Sequence, residues 1–190
     1  MKKINWKSVL FLITFFAVMT AFILDGPCGG IDRWSVKTLT DTGAVHVDFK
    51  PIQSSISTLI KLYPGKKIGN STPRFGIEYK TYTIICTIRE YRTEADGDKH
   101  LVLVNANDST QTMIGEIPNL MCDTIHKNSF RPMYDSCLVE FKKYTMKNYK
   151  VRQGKYQITG VAFFDRIHGQ IGVAPNGIEL HPILSFKKIK

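Results

Sequence analysis

Two polar segments contain the side chains of this sequence that are best suited to do chemistry. The first places acids and a histidine at alternating positions, and the second begins at Asp165 and ends at His181. Carboxylates and imidazoles that lie close together can bind a polar ligand, hold a divalent cation or exchange protons. The candidate ligand-binding residues are Asp96, Asp98, His100, Asp165, His168, Gln170, Asn176, Glu179 and His181.

The spacing of these residues makes binding a better interpretation than catalysis. Glu179 and His181 are two positions apart, so a strand would present both side chains on one face. A single acid–x–histidine pair is common by chance and much less specific than two histidines on one helical turn. Asp165 and Asn176 also suit a purely structural role, because such side chains hydrogen-bond the backbone of their own loop. The sequence leaves the structural and ligand-binding interpretations open.

Known catalytic and cofactor motifs are absent from the sequence. It has no G-x-S-x-G elbow, no Walker loop, no dinucleotide-binding glycine pattern and no C-x-x-C pair. No hydroxyl or thiol has a base beside it that the sequence reveals. We therefore predict no catalytic residue, no cofactor and no resident metal ion.

These observations predict a non-catalytic binding or interaction module whose site lies between the loops 94–100 and 165–181. The alternative from a different class is a metal-dependent hydrolase, either a nuclease or a phosphoesterase. Its ligands would be Asp98, His100, Glu179 and His181. A third alternative is a structural envelope protein that an uncleaved N-terminal helix holds at the membrane.

The elements that must position these residues are mostly strands. Apolar alternation and turn residues predict five strands, and the Asp-Gly step at 96–97 predicts a hairpin between the first two. The stretch 33–38 also has an extended pattern. The five predicted strands cover residues 79–91, 100–104, 112–117, 155–164 and 178–186.

Two helices complete the prediction. The first covers 56–63, follows Ser54 or Ser55 as its cap and ends at Pro64. The second begins near Ser129, with Pro132 in its first turn. It carries the apolar stripe Met133, Cys137, Phe141 and Tyr144.

This order of elements predicts a mainly β fold, specifically a five-stranded OB-fold-like Greek-key barrel. One helix lies between strands three and four, and the N-terminal helix is an addition outside the barrel. In such a barrel the loop after strand one meets the loop between strands four and five, which would unite the two polar segments. An open sheet with two packed helices uses the same elements. The predicted regions are 1–26 for export, 27–75 as an N-terminal extension with one helix, and 76–190 as the barrel domain.

The N-terminus predicts export. Lysines 2, 3 and 7 precede an uncharged apolar run over 8–24. This run is longer than a typical signal-peptide core and slightly shorter than a comfortable membrane span. Both a cleaved signal peptide and an uncleaved anchor through residues 8–24 stay open. Either one delivers the domain to the extracytoplasmic or periplasmic side of the cytoplasmic membrane.

Composition and charge describe a basic domain. The chain has 190 residues, 43% of them hydrophobic, and a formal net charge of +10. Its runs of lysine between 142 and 155 and at the C-terminus indicate either a solvated face or a footprint for an anionic partner. Nucleic acid is not the favoured partner, because the second and third strands offer no aromatic side chains for base stacking. The expected partner is an envelope ligand or protein of unknown identity.

The sequence contains four cysteines, whose pairing depends on the redox state of the compartment in which the protein resides. Export to an oxidising compartment allows disulfides. Cys86 falls on an apolar strand face and is expected to be a buried free thiol. Cys122–Cys137 is the preferred disulfide because one cysteine precedes the second helix and the other lies inside it. Cys28–Cys122 stays open as the alternative pairing.

Three stretches of the sequence are distinctive: RWxVKT at 33–38, an acidic hairpin followed by His-Leu-Val-Leu, and FFDxxHGQxGVAPNGIELHP at 163–182. In these stretches the chain resembles a group of small exported bacterial proteins without an assigned activity. The resemblance covers most of the chain from Arg33 onward. It implies a bacterial source, export and an independently folding domain. Asp165, His168, Glu179 and His181 lie inside its most specific motif.

Overall fold

The structure, a computed structural model, describes Cys28 and residues 32–189, so the predicted export segment lies outside the described residues. The described part is mainly β, with six strands in one mixed sheet and a few short helices. The strands are β1 (Asp48–Gln53), β2 (Lys80–Thr93), β3 (Lys99–Asn105), β4 (Asp108–Ile117), β5 (Lys155–Phe164) and β6 (Ile178–Ile189).

Hydrogen bonding connects the strands in the order β1-β2-β3-β4-β6-β5, and β2 also pairs with β5. The pairs β1–β2 and β4–β6 are parallel, and the other pairs are antiparallel. Strand β6 contains Glu179 and His181, at the end of the second polar segment, and β4 pairs with β3, which contains His100 of the first segment. The pairing of β4 with β6 therefore connects the two polar segments. The sheet therefore brings together residues that lie far apart in the sequence.

All five strands predicted from the sequence are confirmed, with ends that differ by a few residues. The hairpin between β2 and β3 is confirmed as well. The Glu94 N–H donates to the Asp98 carbonyl at 3.0 Å, and the Gly97 N–H donates to the Glu94 carbonyl at 2.9 Å. Gly97 has a φ of 87°, which favours glycine. The Asp-Gly step therefore closes the loop that carries Asp96 and Asp98.

The helices are α1 (Trp34–Lys37), α2 (Ile56–Leu59), α3 (Asp123–His126) and α4 (Arg131–Lys142), and 3-10 turns cover Thr42–His46 and Gly76–Tyr79. Helix α4 lies between β4 and β5 as predicted, with Pro132 in its first turn and Cys137 and Phe141 buried. The predicted helix 56–63 is only one turn long. The Ser55 side chain caps it. Beyond Leu59, the backbone N–H groups of Lys61 and Leu62 donate to carbonyls three residues earlier, as in a 3-10 turn, and not four residues earlier as in an α-helix.

Two predictions for the N-terminal extension are wrong. The stretch 33–38 contains α1 rather than a strand, because Arg33 adopts a left-handed conformation and buries its guanidinium beneath the helix. The extension also contains β1, which the sequence did not predict. All six residues of β1 are exposed, so they lack the apolar alternation that indicates a strand.

The preferred disulfide is also wrong, and the alternative pairing is the one present. Cys28 and Cys122 are bonded, with 5.4 Å between their Cα atoms. Cys137 is a buried free thiol on α4 and packs with Phe141 in the larger hydrophobic core. Cys122 lies instead in a second core, with Tyr134 and Val161. The two side chains belong to different hydrophobic cores, although Tyr134 and Cys137 lie on the same helix. Cys86 is a buried free thiol, as predicted.

Within the described part of the chain, no helix has both the length and the apolar character needed to cross a membrane.

Candidate functional site

A pocket of about 710 Å³ lies where α1, the β2–β3 hairpin, the loop after β5 and the sheet meet. Six of the nine candidate residues line it, and two more, Asp98 and His181, are buried behind it: His181 contacts the lining residue Glu116, and Asp98 contacts His181. The loops 94–100 and 165–171 therefore come together at one site. The six lining candidates are Asp96, His100, Asp165, His168, Gln170 and Glu179.

Asn176 is the candidate that the structure does not bring to the pocket. Its side-chain amide donates hydrogen bonds to the carbonyls of Leu59 and Leu62 at 2.9 and 2.8 Å. Its Oδ1 accepts from the backbone N–H of Ile178 at 3.2 Å. Asn176 thus ties the end of α2 to the start of β6, which is the structural role that the sequence left open.

His100 and Glu116 are directly opposite each other on β3 and β4. His100 Nδ1 lies 2.8 Å from Glu116 Oε1, and His100 Nε2 lies 3.0 Å from the carbonyl oxygen of Ile171. Both partners are acceptors, so both ring nitrogens donate and the imidazole is charged. Burial alone would lower the pKa of His100, but the hydrogen bond and the charge of Glu116 raise it to about 9.

His181 is fully buried behind the pocket. Its Nδ1 lies 3.1 Å from Glu116 Oε2, and its Nε2 lies 3.4 Å from Asp98 Oδ2. Burial alone would lower the pKa of His181, but the charge of Glu116 and the contact with Asp98 raise it to about 9. Burial would likewise raise the pKa of Glu116, yet the charge of His181 and the bond from His100 hold it well below its usual range. Glu116 is therefore the anion that links the two imidazoles.

Two residues of this site, Glu116 and Lys37, were not predicted from the sequence. Glu116 sits in an apolar strand, and only the register of the β3–β4 hairpin reveals that it faces His100. Lys37 belongs to α1, and its Nζ lies 3.7 Å from Asp165 Oδ2. Burial lowers the pKa of Lys37, but the charges of Glu179, Glu116 and Asp165 outweigh burial and raise it. The Lys37 ammonium group therefore lies among carboxylates that favour its charged form.

The loop after β5 is organised by Gln170. Its Nε2 donates to Asp165 Oδ2 at 3.1 Å and to the Arg166 carbonyl at 2.9 Å, and its Oε1 accepts from the His168 N–H at 2.8 Å. The His168 side chain is half exposed, with Nε2 3.8 Å from Asp165 Oδ2. On the opposite wall, Asp96 Oδ1 accepts from the Asp98 N–H at 3.1 Å. Burial, and next the charge of Asp98, raise the pKa of Asp96.

Several buried polar atoms of the site lack a hydrogen bond of good geometry. Among the described residues, these atoms include Asp98 Oδ2, Glu179 Oε2 and both ring nitrogens of His181. A buried polar group without such a bond costs about 1–3 kcal/mol. In the described part of the chain the other such atom is Thr81 Oγ1, so these unbonded polar atoms concentrate at and behind the pocket.

The fold and the site define a mainly β protein with an acidic and histidine-rich pocket at the junction of two loops. No protein-family model matches the chain, and neither the curated proteins nor the solved structures contain a significant match. The resemblance to small exported bacterial proteins therefore stays a prediction, and the function has to be argued from the site itself.

Glu179 gives the site a pH dependence that can be measured. Burial, and next the neighbouring carboxylates of Glu116 and Asp165, raise its pKa from 4.5 to about 8. A carboxyl with a raised pKa stabilises the fold most below pH 4.5, and this contribution is lost as the pH rises through about 8. Glutamine does not titrate. As the pH rises from 4.5 to above about 8, we therefore expect the free energy of unfolding of the parent to fall relative to that of Glu179→Gln.

The measurement is urea unfolding of both proteins at pH 5 and at pH 8.5, in buffers that contain a chelator. Glu140→Gln is the matched control, because Glu140 lies outside the pocket and its pairing with Lys143 lowers its pKa, so it does not titrate over this range. The same pH profile for the parent and Glu179→Gln would contradict the assignment of a neutral buried carboxyl at Glu179.

Proposed function

We propose that β2 to β6 form a five-stranded OB-fold-like Greek-key barrel. The pairings β2–β3, β3–β4, β4–β6, β6–β5 and β5–β2 support this, because they return to the strand from which they start. The parallel β4–β6 pair and the position of α4 between β4 and β5 are also those of an OB-fold. In this proposal β1 and the short N-terminal helices are additions to the barrel.

The protein is, in our proposal, an exported binding module whose ligand occupies the pocket between the loops 94–100 and 165–181. The observation that carries the proposal is the convergence of two distant polar segments on one cavity of about 710 Å³. Cavities of roughly 300–1,000 Å³ are typical of small-ligand sites. The Cys28–Cys122 disulfide, which joins a residue of the pocket wall to the domain, fits an oxidising compartment.

The charges of the pocket favour a ligand with amine or hydroxyl groups. Carboxylates outnumber cationic side chains along the wall, although the protein as a whole is strongly basic. Trp34, on α1, adds a flat aromatic surface on which a sugar ring or an alkyl chain can lie. An anion would meet repulsion in this pocket, so a nucleic-acid phosphate is not the favoured ligand. The wall carboxylates are Asp32, Glu94, Asp96, Glu116, Asp165 and Glu179.

A second candidate function is metal-dependent hydrolysis, which the cluster of Asp98, Glu116 and His181 favours. Its ligand set differs from the one expected from the sequence. Both nitrogens of His100 are engaged, so His100 is a poor ligand, and Glu116 takes its place. Glu179, whose pKa is raised to about 8 by burial and by nearby carboxylates, would suit a general acid.

Trp34 provides a direct test of the binding proposal. The chain contains two tryptophans, Trp6 and Trp34, so Trp6→Phe leaves a single fluorescent reporter, which lies in the pocket. We expect a saturable change in fluorescence with spermidine or with a neutral chitooligosaccharide, and none with inorganic phosphate. Glu94→Gln should weaken the binding about tenfold, since it removes a charged partner of the ligand.

Glu140→Gln, made in the same Trp6→Phe background, is the control with the same side-chain change, because Glu140 lies on α4, outside the pocket, and pairs with Lys143. Glu94 is half exposed, so its replacement should leave the fold intact, which circular dichroism can verify. Saturation by phosphate alone, or no saturation by any probe at millimolar concentration, would contradict the proposed ligand class.

A further inference from the structure

Three buried side chains behind the pocket form a cluster with the composition of a metal site. Asp98, Glu116 and His181 are 0%, 7% and 0% exposed. One ligand atom from each lies within 4.8 Å of the others. They come from the β2–β3 hairpin, from β4 and from β6, so the fold itself brings them together.

Several atoms of the cluster face each other closely but without well-aligned hydrogen bonds. His181 lies 3.1 Å from Glu116 Oε2 and 3.4 Å from Asp98 Oδ2, yet among the described residues neither of its nitrogens makes a hydrogen bond of good geometry. Asp98 Oδ2 likewise lacks one. Buried polar atoms that lie close together without well-aligned bonds stay available to a further ligand.

The opposite oxygen of each carboxylate is firmly bonded. Asp98 Oδ1 accepts from the Asn119 N–H at 2.7 Å, and Glu116 Oε1 is bonded to His100 at 2.8 Å. Outer partners of this kind orient the ligating carboxylates in metal sites and are needed for tight binding. Each carboxylate therefore has one oxygen that the protein holds and one that faces the cluster.

We propose that Asp98, Glu116 and His181 bind one divalent transition-metal cation. One imidazole nitrogen and two carboxylate oxygens suit Zn²⁺ or Mn²⁺, and two carboxylates balance the charge of the ion. Glu116 and Glu179 line the pocket, so the cation would reach its site from there and keep an open position toward it. This route of access rests on the proposed function, because the cation then lies at the floor of the proposed ligand pocket.

The competing arrangement is a charged His181 that bridges two carboxylates without any metal. The two arrangements differ in metal content and in the response of stability to metal. A bound cation stabilises the folded protein in proportion to the logarithm of its concentration above Kd. A bridging imidazolium gives no such response.

The experiment measures metal in the full chain, purified without a histidine tag. After dialysis, mass spectrometry of the metal should find about one Zn²⁺ or Mn²⁺ per chain. The ratio should fall below about 0.1 in Asp98→Asn and in His181→Gln. Chelator should lower the Tm of the parent, and added Zn²⁺ or Mn²⁺ should restore it.

Asp48→Asn and His46→Gln are the matched controls, since both residues are exposed and neither belongs to the cluster. They should keep the metal of the parent. A metal-free parent that also fails to bind added Zn²⁺ or Mn²⁺ would overturn the proposal, whatever the variants do. Equal metal content in the parent and in folded Asp98→Asn and His181→Gln would overturn it too.

The same preparations separate this inference from the proposed function. Trp34 fluorescence in the presence of chelator reports ligand binding to a pocket without metal. Ligand binding with no metal in the parent would refute the metal site alone. A metal that is lost in the cluster variants, in a protein that binds no probe, would refute the ligand class alone.

Discussion

Replacing Glu78 with alanine is expected to lower the free energy of unfolding by about 3–5 kcal/mol. Glu78 is fully buried and receives both ends of the Arg33 guanidinium, at 2.8 Å on Oε1 and 2.6 Å on Oε2. Its oxygens also accept from the N–H groups of Phe164 and Phe75. The substitution leaves a buried guanidinium without its anion, which is much more costly than losing an exposed ion pair.

This ion pair also positions the pocket. Arg33 immediately precedes α1 and donates to the Phe164 carbonyl at 2.8 Å, beside Asp165. It therefore fixes α1, which carries Trp34 and Lys37, to the end of β5. We expect Glu78→Ala to weaken ligand binding at the pocket as well as the fold.

Urea unfolding measures the loss, and Trp34 fluorescence in the Trp6→Phe background reports the local change at the pocket. Glu90→Ala is the control, because the Glu90–Arg92 pair is largely solvated, with Arg92 half exposed. That variant should lose no more than about 1 kcal/mol. A loss below 1 kcal/mol for Glu78→Ala would show that the buried pair does not hold the extension to the sheet.

Local patterns were sufficient to predict the strands but not the N-terminal extension. Strands β2 to β6 all contain buried apolar residues, and their apolar alternation or short continuous apolar runs indicate that burial directly. Strand β1 has no buried residue, so its sequence carries no such signal. Helix α1 depends on the distant partner of Arg33, Glu78, and no local pattern contains that contact.

The same distinction applies to the site. The Asp-Gly hairpin and the polar loop that ends at Glu179–x–His181 are local features, and they identified six of the residues that line the pocket. Glu116 is brought to the site by strand pairing, since it faces His100 across β3 and β4. Lys37 is brought there by packing of the extension. Long-range pairing therefore determines the balance of charges at the site, whereas local sequence patterns indicate only which loops form it.

Removing the Cys28–Cys122 disulfide is expected to cost about 4 kcal/mol of stability. The bond spans 94 residues, and cross-linking so long a segment removes much of the conformational entropy of the unfolded chain. Cys28 also lines the pocket, so the bond holds a part of the pocket wall. We expect Cys122→Ala to lower the Tm and to change the Trp34 fluorescence.

Reduction of the parent by dithiothreitol should reproduce the stability of Cys122→Ala, and the variant itself should not respond to dithiothreitol. Cys137→Ala is the matched control, because Cys137 is buried but free, so it should lose only its packing contacts and should keep its response to reductant. Under denaturing, non-reducing conditions, thiol labelling should modify Cys86 and Cys137. Labelling of Cys28 or of Cys122 would contradict the pairing, because both are joined in the disulfide.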